Sequence, residues 1–301
     1  MAFDLPISIA LLVAMGEISQ ELVDQIIFIG EVGLDGAIRG VNGVLPILVA
    51  AQSSGFNYAI IPADNSDEGS LLPTLHFHAT EHLQDVVDFI KNNRIFEKSP
   101  QVVQQLHISS FLDLCDVAGQ SDARFALEIA AIGGHHILFI GPPGTGKTML
   151  AERIPTILPP LTHESALQVS AIHSVAGILK MRGALSAVPP FIAPHHTTTA
   201  PAMIGGTGAL KPGAVSLAHH GVLFIDEAPE CSTGVLDALR QPLESGQVTI
   251  SRASGTVTYP ANFLLVLAAN PCPCGKFSGK GRGCTCSQVQ IRRYLQKISG
   301  P

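Results

Sequence analysis

Residues 141–148 read Gly141-Pro142-Pro143-Gly144-Thr145-Gly146-Lys147-Thr148, which satisfies the spacing G-x-x-x-x-G-K-[ST]. Glycines at these positions let the backbone pass close to a phosphate group, so that successive N–H groups hold its oxygens at the start of a helix, where the helix dipole also favours negative charge. Lys147 is then placed to reach the β- and γ-phosphates of a nucleotide, and the Thr148 hydroxyl to ligate magnesium. A second stretch, Gly221-Val-Leu-Phe-Ile-Asp226-Glu227, is an apolar run that delivers two carboxylates at its end. Open α/β sheets place ligands at the carboxyl ends of their strands. There Asp226 suits a magnesium ligand, and Glu227 suits a group that polarises a water for in-line displacement at the γ-phosphate. A third apolar run, residues 263–269, ends in Asn270. Its amide either orients water and touches the γ-phosphate or caps a turn ahead of Pro271. ATP and magnesium are the ligands this set would take.

Other residues carry weaker signals. Cys272, Cys274, Cys284 and Cys286 have the spacing C-x-C-x9-C-x-C, while Cys115 and Cys231 stand alone. Four thiolates suit tetrahedral zinc, although two intervening residues are commoner than one in structural sites; free or redox-sensitive thiols are the alternative. Three histidine pairs, His135-His136, His195-His196 and His219-His220, are expected to pack in the core or loops, because neighbours on an extended strand point to opposite faces and rarely share an ion. Gly205-Gly-Thr-Gly208 with Lys211 resembles a phosphate loop but lacks the Gly-Lys-Thr ending, and reads as a flexible insertion. Lys276, Lys280, Arg282, Arg292, Arg293 and Lys297 form a run without acidic residues, either a DNA-phosphate patch or a solvated face. Arg240 and Arg252 are candidates for contact with a neighbouring subunit or DNA.

These residues must be positioned by a chain of 301 residues, 46% hydrophobic and 14% charged, with a net charge of -6. That composition fits two compact α/β domains and excludes large-scale disorder or a protein that coats nucleic acid through overall charge. Residues 5–15 are apolar, but Asp4 rather than a basic residue precedes them, and no stretch reaches the roughly 20 apolar residues a membrane span requires. A cytoplasmic location without membrane contact is the expectation.

The pattern predicts a first module over residues 1–92. Its elements are a helix at 5–15, a strand at 26–32, a hairpin turn at Asp35-Gly36 into 37–41, a helix at 45–52, strands at 58–62 and 75–79, and a helix at 82–90. Residues 93–112 read as a linker, and residues 113–301 as a second domain. In that domain a helix at 122–132 breaks at Gly133-Gly134, a strand at 137–140 runs into the glycine loop, and a helix follows at 149–154.

With these elements placed, the second domain resembles an AAA+ P-loop ATPase core of the magnesium-chelatase-like group, in particular the ComM/YifB family. The resemblance rests on Asp116-Val-Ala-Gly-Gln120, Gly133-Gly-His-His136, Ala193-Pro-His-His-Thr197, the stretch from Ser216 to Asp226, Leu239-Arg-Gln-Pro-Leu243 and Asn270-Pro-Cys-Pro-Cys-Gly275. The first domain resembles a partial Lon-protease-like module of the ribosomal S5 domain 2-like type, through Phe28-Ile-Gly-Glu-Val-Gly-Leu-Asp-Gly36 and Gly43-Val-Leu-Pro46.

The resemblance implies a parallel-sheet ATPase that assembles as a hexameric ring and, in better-studied members, drives DNA branch migration during natural transformation. It also implies an inactive Lon-like module. The lysine that follows the glycine in Lon-type proteases is absent, since Val44 and Leu45 follow Gly43, and Ala2-Phe3-Asp4 offers no serine. The family's arginine finger and sensor arginine lie after a Ser-Gly-Pro-Leu-Leu-Asp-Arg stretch, whereas this sequence closes on Ser299-Gly300-Pro301. On that comparison the chain reads as a fragment lacking the first strands and the C-terminal lid, with nucleotide binding the firmer expectation and hydrolysis slower than in an intact ring. A magnesium-chelatase-type subunit and a nucleotide-binding interaction module are the alternatives.

Overall fold

Apolar runs bounded by turn residues become short parallel strands in both halves of the chain, in a computed structural model that describes residues 2–92, 112–179, 185–206, 210–253, 255–277 and 283–298. Two compact units result: Met1–His107 with Ser170–Leu185, and Ile108–Val169 with Ser186–Pro301. The residue 93–112 linker expected from sequence lies almost wholly outside the described residues. Among the described residues no helix is long and apolar enough to cross a membrane.

In the first unit α1 (Asp4–Ala14) precedes β1 (Ile26–Phe28), β2 (Glu31–Val32) and β3 (Ile38–Arg39). The strand expected at 26–32 is thus two strands. β1 joins a parallel sheet, whereas β2 pairs antiparallel with β3 across the Asp35-Gly36 turn. The turn chemistry is as expected: Asp35 Oδ1 accepts the Ala37 N–H at 3.1 Å, and Gly36 takes φ +82°. After α2 (Val44–Ser53), β4 (Tyr58–Pro62), α3 (Ser66–Ser70), β5 (His76–Thr80) and α4 (Leu83–Lys91) complete the unit, with sheet order β1-β4-β5. Leu5 and Ile9 of α1, Ile60 of β4, and Val86, Phe89 and Ile90 of α4 share one core.

A buried polar network fixes the start of α2. Glu68 Oε2 accepts the Leu45 N–H at 2.8 Å and the Ser174 hydroxyl at 2.6 Å, while Oε1 accepts Asn65 Nδ2 at 2.7 Å. Ser174 Oγ also accepts the Gly43 N–H at 3.1 Å. Helix starts leave backbone donors without partners, and here a carboxylate and a hydroxyl meet two of them. Residues 170–185, expected in the second domain, belong to the first unit, and Ser174 supplies a reason.

The second unit begins with α5 (Ser121–Gly133), β6 (Ile137–Ile140) and α6 (Lys147–Ala151), followed by α7 (His163–Ala176), whose last residues enter the first unit. Then come β7 (Phe191–Ile192), α8 (Ala200–Ile204), α9 (Ala214–Leu217), β8 (Val222–Ile225), α10 (Thr233–Ala238) and α11 (Arg240–Ser245). A β9 (Gln247–Arg252) and β10 (Gly255–Pro260) hairpin, β11 (Leu264–Ala269) and α12 (Gln288–Gln296) complete it. The main sheet is parallel with order β6-β11-β8-β7.

Every residue of β8 and β11 is buried. Val222, Phe224, Leu264, Val266 and Ala268 face one core cluster, and Leu223, Ile225, Leu265 and Leu267 face the other. That two-sided burial is why these strands read as continuous apolar runs rather than alternating ones. Gly221 permits β8 to start against the chain before β7, since a Cβ there would lie 2.1 Å from the Pro190 carbonyl oxygen.

The histidine pair ahead of β8 does not alternate across an extended strand. His220 adopts φ +57°, and the two rings lie 3.9 Å apart, both reaching Gln168 Oε1. His219 Nδ1 accepts the Asn262 N–H at 3.1 Å, the neutral tautomer's role. Burial, reinforced by His220, pushes His219 down from 6.5 to about 4.

Two predictions follow from these networks. Glu68→Ala strands three buried donors at about 1–3 kcal/mol each, so the variant melts well below the wild type; an unchanged melting temperature contradicts the network's role. For His219 the unfolded chain binds a proton that the folded chain refuses between about pH 6.5 and 4, so stability is lost as pH falls through that window. Melting curves recorded from pH 7 to 5 should shift downward, and His219→Gln should flatten the shift; an equally steep slope in the variant contradicts the assignment.

Candidate functional site

The register of the main sheet brings three strand ends together. Ala269 of β11 pairs with Ile140 of β6, and Leu267 of β11 pairs with Ile225 of β8. The residues that follow, Gly141, Asn270 and the Asp226-Glu227 pair, therefore emerge at one edge. The Gly141 N–H donates to the Ala269 carbonyl at 3.2 Å, carrying the β6–β11 pairing into the loop.

Within the loop Gly144 and Gly146 take φ +79° and +80°, the left-handed region that a side chain disfavours. Thr145 Oγ1 donates to the Pro142 carbonyl at 2.9 Å, closing the turn. Lys147 folds its ammonium back over this turn, donating to the carbonyls of Gly141 at 2.7 Å and Pro142 at 3.0 Å, with Asn270 Oδ1 at 3.4 Å. Thr148 Oγ1 donates to Asp226 Oδ2 at 2.8 Å, so the two groups that the sequence assigns to one cation are in contact. Asp226 Oδ1 accepts the Glu227 N–H at 2.8 Å, which orients the carboxylate. Lys147, Thr148, Asp226, Glu227 and Asn270 thus lie together at the ends of these strands.

Two residues named in the sequence analysis without a place in this site also reach it. His196 Nδ1 lies 3.3 Å from Glu227 Oε2, and Glu227 itself takes φ +49°. Packing alone was expected for this histidine; the neighbouring rings of His195 and His196 lie 4.0 Å apart. Gln120 donates through Nε2 to the Thr145 carbonyl at 2.9 Å from a backbone at φ +52°. Both lie within motifs that carry the resemblance, Asp116–Gln120 and Ala193–Thr197, which was the signal available for them.

The four clustered cysteines also converge. Sγ of Cys272 lies 3.3 Å from Cys274 and 3.7 Å from Cys284, Cys274 lies 3.6 Å from Cys284, and all four sulfurs fall within 4.8 Å of one another. A single intervening residue therefore suffices to bring each pair together. A backbone N–H from Lys276, with the Cys272 thiol, holds Cys274 down at about 6. Beyond the cluster α12 packs inward through buried Ile291 and Tyr294. Burial and the charge of Glu230 push the Tyr294 phenol up to about 12, and Lys297 Nζ donates to the Pro229 carbonyl at 2.9 Å.

The remaining candidates are dispersed. Arg240 pairs with Asp237 at 3.3 Å, and Arg252 donates to the Gly206 carbonyl at 2.9 Å. The Gly206 N–H donates to the Lys211 carbonyl at 3.0 Å, while Thr207 and Gly208 lie outside the described residues. Of the basic run, Lys276, Arg292, Arg293 and Lys297 are exposed, and Lys280 and Arg282 lie outside the described residues. Cys115 is exposed and Cys231 buried. His136 Nδ1 accepts the Leu265 N–H at 3.1 Å, a structural role at the start of β11.

Comparison with known proteins bears on this geometry. The family described as magnesium chelatase, subunit ChlI, matches residues 113–301, and subunit ChlI of Mg-chelatase matches residues 1–65. The competence protein ComM of Haemophilus influenzae is 43% identical over 304 residues, covering 99% of this chain and 59% of that protein. YifB of Escherichia coli is 43% identical over 299 residues, covering 99% and 58%. An uncharacterized protein of Mycobacterium tuberculosis is 44% identical over 300 residues, covering 99% and 59%. The chain thus spans under two thirds of the length of these relatives. With its parallel sheet and glycine loop, it belongs to the magnesium-chelatase subunit ChlI family, in the ComM/YifB group, and carries that family's AAA+ P-loop core.

Proposed function

We propose that this chain binds ATP with magnesium and hydrolyses it to drive a ring-shaped DNA motor. The observation that carries the reading is the convergence of Lys147, Thr148, Asp226, Glu227 and Asn270 at the ends of three adjacent parallel strands.

The residues present fit the ligands. Residues 141–146 offer a glycine-rich backbone whose N–H groups suit phosphate oxygens, and Lys147 exchanges its carbonyl partners for the β- and γ-phosphates. Thr148 and Asp226 supply a hydroxyl and a carboxylate to magnesium, which when bound neutralises charge across the phosphates. Glu227 accepts a proton from the attacking water, and its contact with His196 holds the carboxylate near the site. Asn270, beside Lys147, reports on the γ-phosphate through a contact that hydrolysis removes.

The motor reading draws on the 43% identity to a competence protein along 99% of this chain and on the branch-migration activity implied by the resemblance. Exposed Lys276, Arg292 and Arg293 offer phosphate contacts. A hexameric ring in the cytoplasm is the assembly the resemblance implies, in which an arginine finger of the family is worth about 10³–10⁵ in turnover. Residues 1–92 serve as a Lon-like module without peptidase chemistry: Gly43 is followed by Val44 and Leu45, both fully buried as core. The alternative, a subunit of a metal-chelation ATPase, shares the same ATP site and differs in lacking a response to DNA.

Lys147→Ala should abolish ATP binding in equilibrium titrations; undiminished affinity overturns the site. Glu227→Gln should bind ATP normally while hydrolysing it about 10²–10⁴-fold more slowly, the usual span for a general base. In the wild type, four-way or forked DNA should raise the hydrolysis rate, and absence of DNA binding at low salt rules out the motor.

A further inference from the structure

The cysteine cluster sits between the phosphate loop and the last helix. It begins two residues after Asn270, and Cys272 is fully buried. Gly275, at φ +74°, closes a turn through its N–H to the Cys272 carbonyl at 2.9 Å. Its backbone lies directly against Pro143 of the phosphate loop: a Cβ at Gly275 would fall 2.9 Å from Pro143 Cδ and 3.0 Å from Cγ. At the other end Cys286 is followed by Ser287, the N-cap of α12, whose hydroxyl accepts the Gln290 N–H while Gln290 returns the bond. The cluster therefore joins the segment leaving β11 to the segment entering α12, with the phosphate loop seated on its first turn.

A tetrahedral ion with metal–sulfur bonds of about 2.3 Å sets its sulfurs about 3.8 Å apart. The separations of 3.3, 3.6 and 3.7 Å, with all four sulfurs inside 4.8 Å, enclose one such ion and leave no room for a polynuclear cluster. Among the described residues no His, Asp or Glu joins the group, and an all-thiolate tetrahedral donor set favours zinc among divalent ions. Like charges on four thiolates held this close repel, so the arrangement requires either a cation or retained protons. We propose that Cys272, Cys274, Cys284 and Cys286 bind one zinc ion, and that this ion is the strut that holds the Cys272–Gly275 turn against Pro143 and thereby sets the conformation of the phosphate loop. On binding, each sulfur that still carries a proton releases it to solvent and bonds zinc as a thiolate, and no electron is transferred.

The strut is independent of what the phosphate loop binds, so its test reads the loop directly. Full-length chain purified under reducing conditions should contain one zinc per molecule by elemental analysis. A thiol-blocking mercurial should release it, as followed with a zinc-sensitive dye. Stripping the zinc with a chelator should raise amide hydrogen exchange at residues 141–148 by at least about fivefold, within the usual range of coupling between sites, and adding zinc back should restore protection. Cys284→Ser with Cys286→Ser should reproduce the stripped state, with exchange in β4 of the first unit as the control for folding. Gly275→Ala should retain zinc yet loosen the loop, because its Cβ displaces Pro143. Reduced chain that neither contains nor takes up zinc overturns the metal site. Equal protection of residues 141–148 with and without zinc overturns the strut. ATP titrations on zinc-loaded wild type judge the nucleotide reading separately.

Discussion

The pairing of β11 with β6 on one side and β8 on the other is the constraint on which the site depends. The chemistry-bearing residues are scattered over more than a hundred positions of sequence, and only the ladder register places Gly141, Asn270 and Asp226 at one edge. The register is in turn held by burial. With both faces of β8 and β11 packed in separate apolar clusters, a slip by one residue would move Phe224 and Val266 out of one cluster and into the other, breaking the side-chain contacts of both. The charged and polar groups at this edge thus rest on apolar packing beneath them.

Polar groups refine what the sheet arranges. Lys147 is tied to the loop carbonyls, Thr148 to Asp226, and Asp226 to the Glu227 N–H, so these groups are held in place before any ligand arrives. Preorganisation of this kind reduces the ordering that a ligand must pay for. His196 at Glu227 and Gln120 at Thr145 extend the network outward. In the first unit the same logic acts without any ligand: Glu68 and Ser174 satisfy helix donors in a place water does not reach.

Much of this was legible in the sequence. The spacing of residues 141–148, the apolar run into Asp226-Glu227 and the run into Asn270 predict the site because strand, loop and helix propensities agree with the motif. β6 and β4 appear at their expected residues, and the Asp35-Gly36 turn takes its expected form. What was not legible depends on tertiary approach. The break of residues 26–32 into β1 and β2 follows from pairing with two different partners. The place of Ser174 in the first unit depends on a contact with Glu68, 106 positions away. His219-His220 share one side because His220 takes a left-handed backbone, which strand alternation does not anticipate.

The central claim is that Thr148 and Asp226 hold magnesium beside a nucleotide phosphate, and the most direct measurement is ATP affinity as a function of magnesium concentration in wild type and Asp226→Asn. The account predicts that affinity rises with magnesium in the wild type and that the variant keeps its magnesium-free affinity but loses most of that rise. An unaltered magnesium dependence in Asp226→Asn would contradict it.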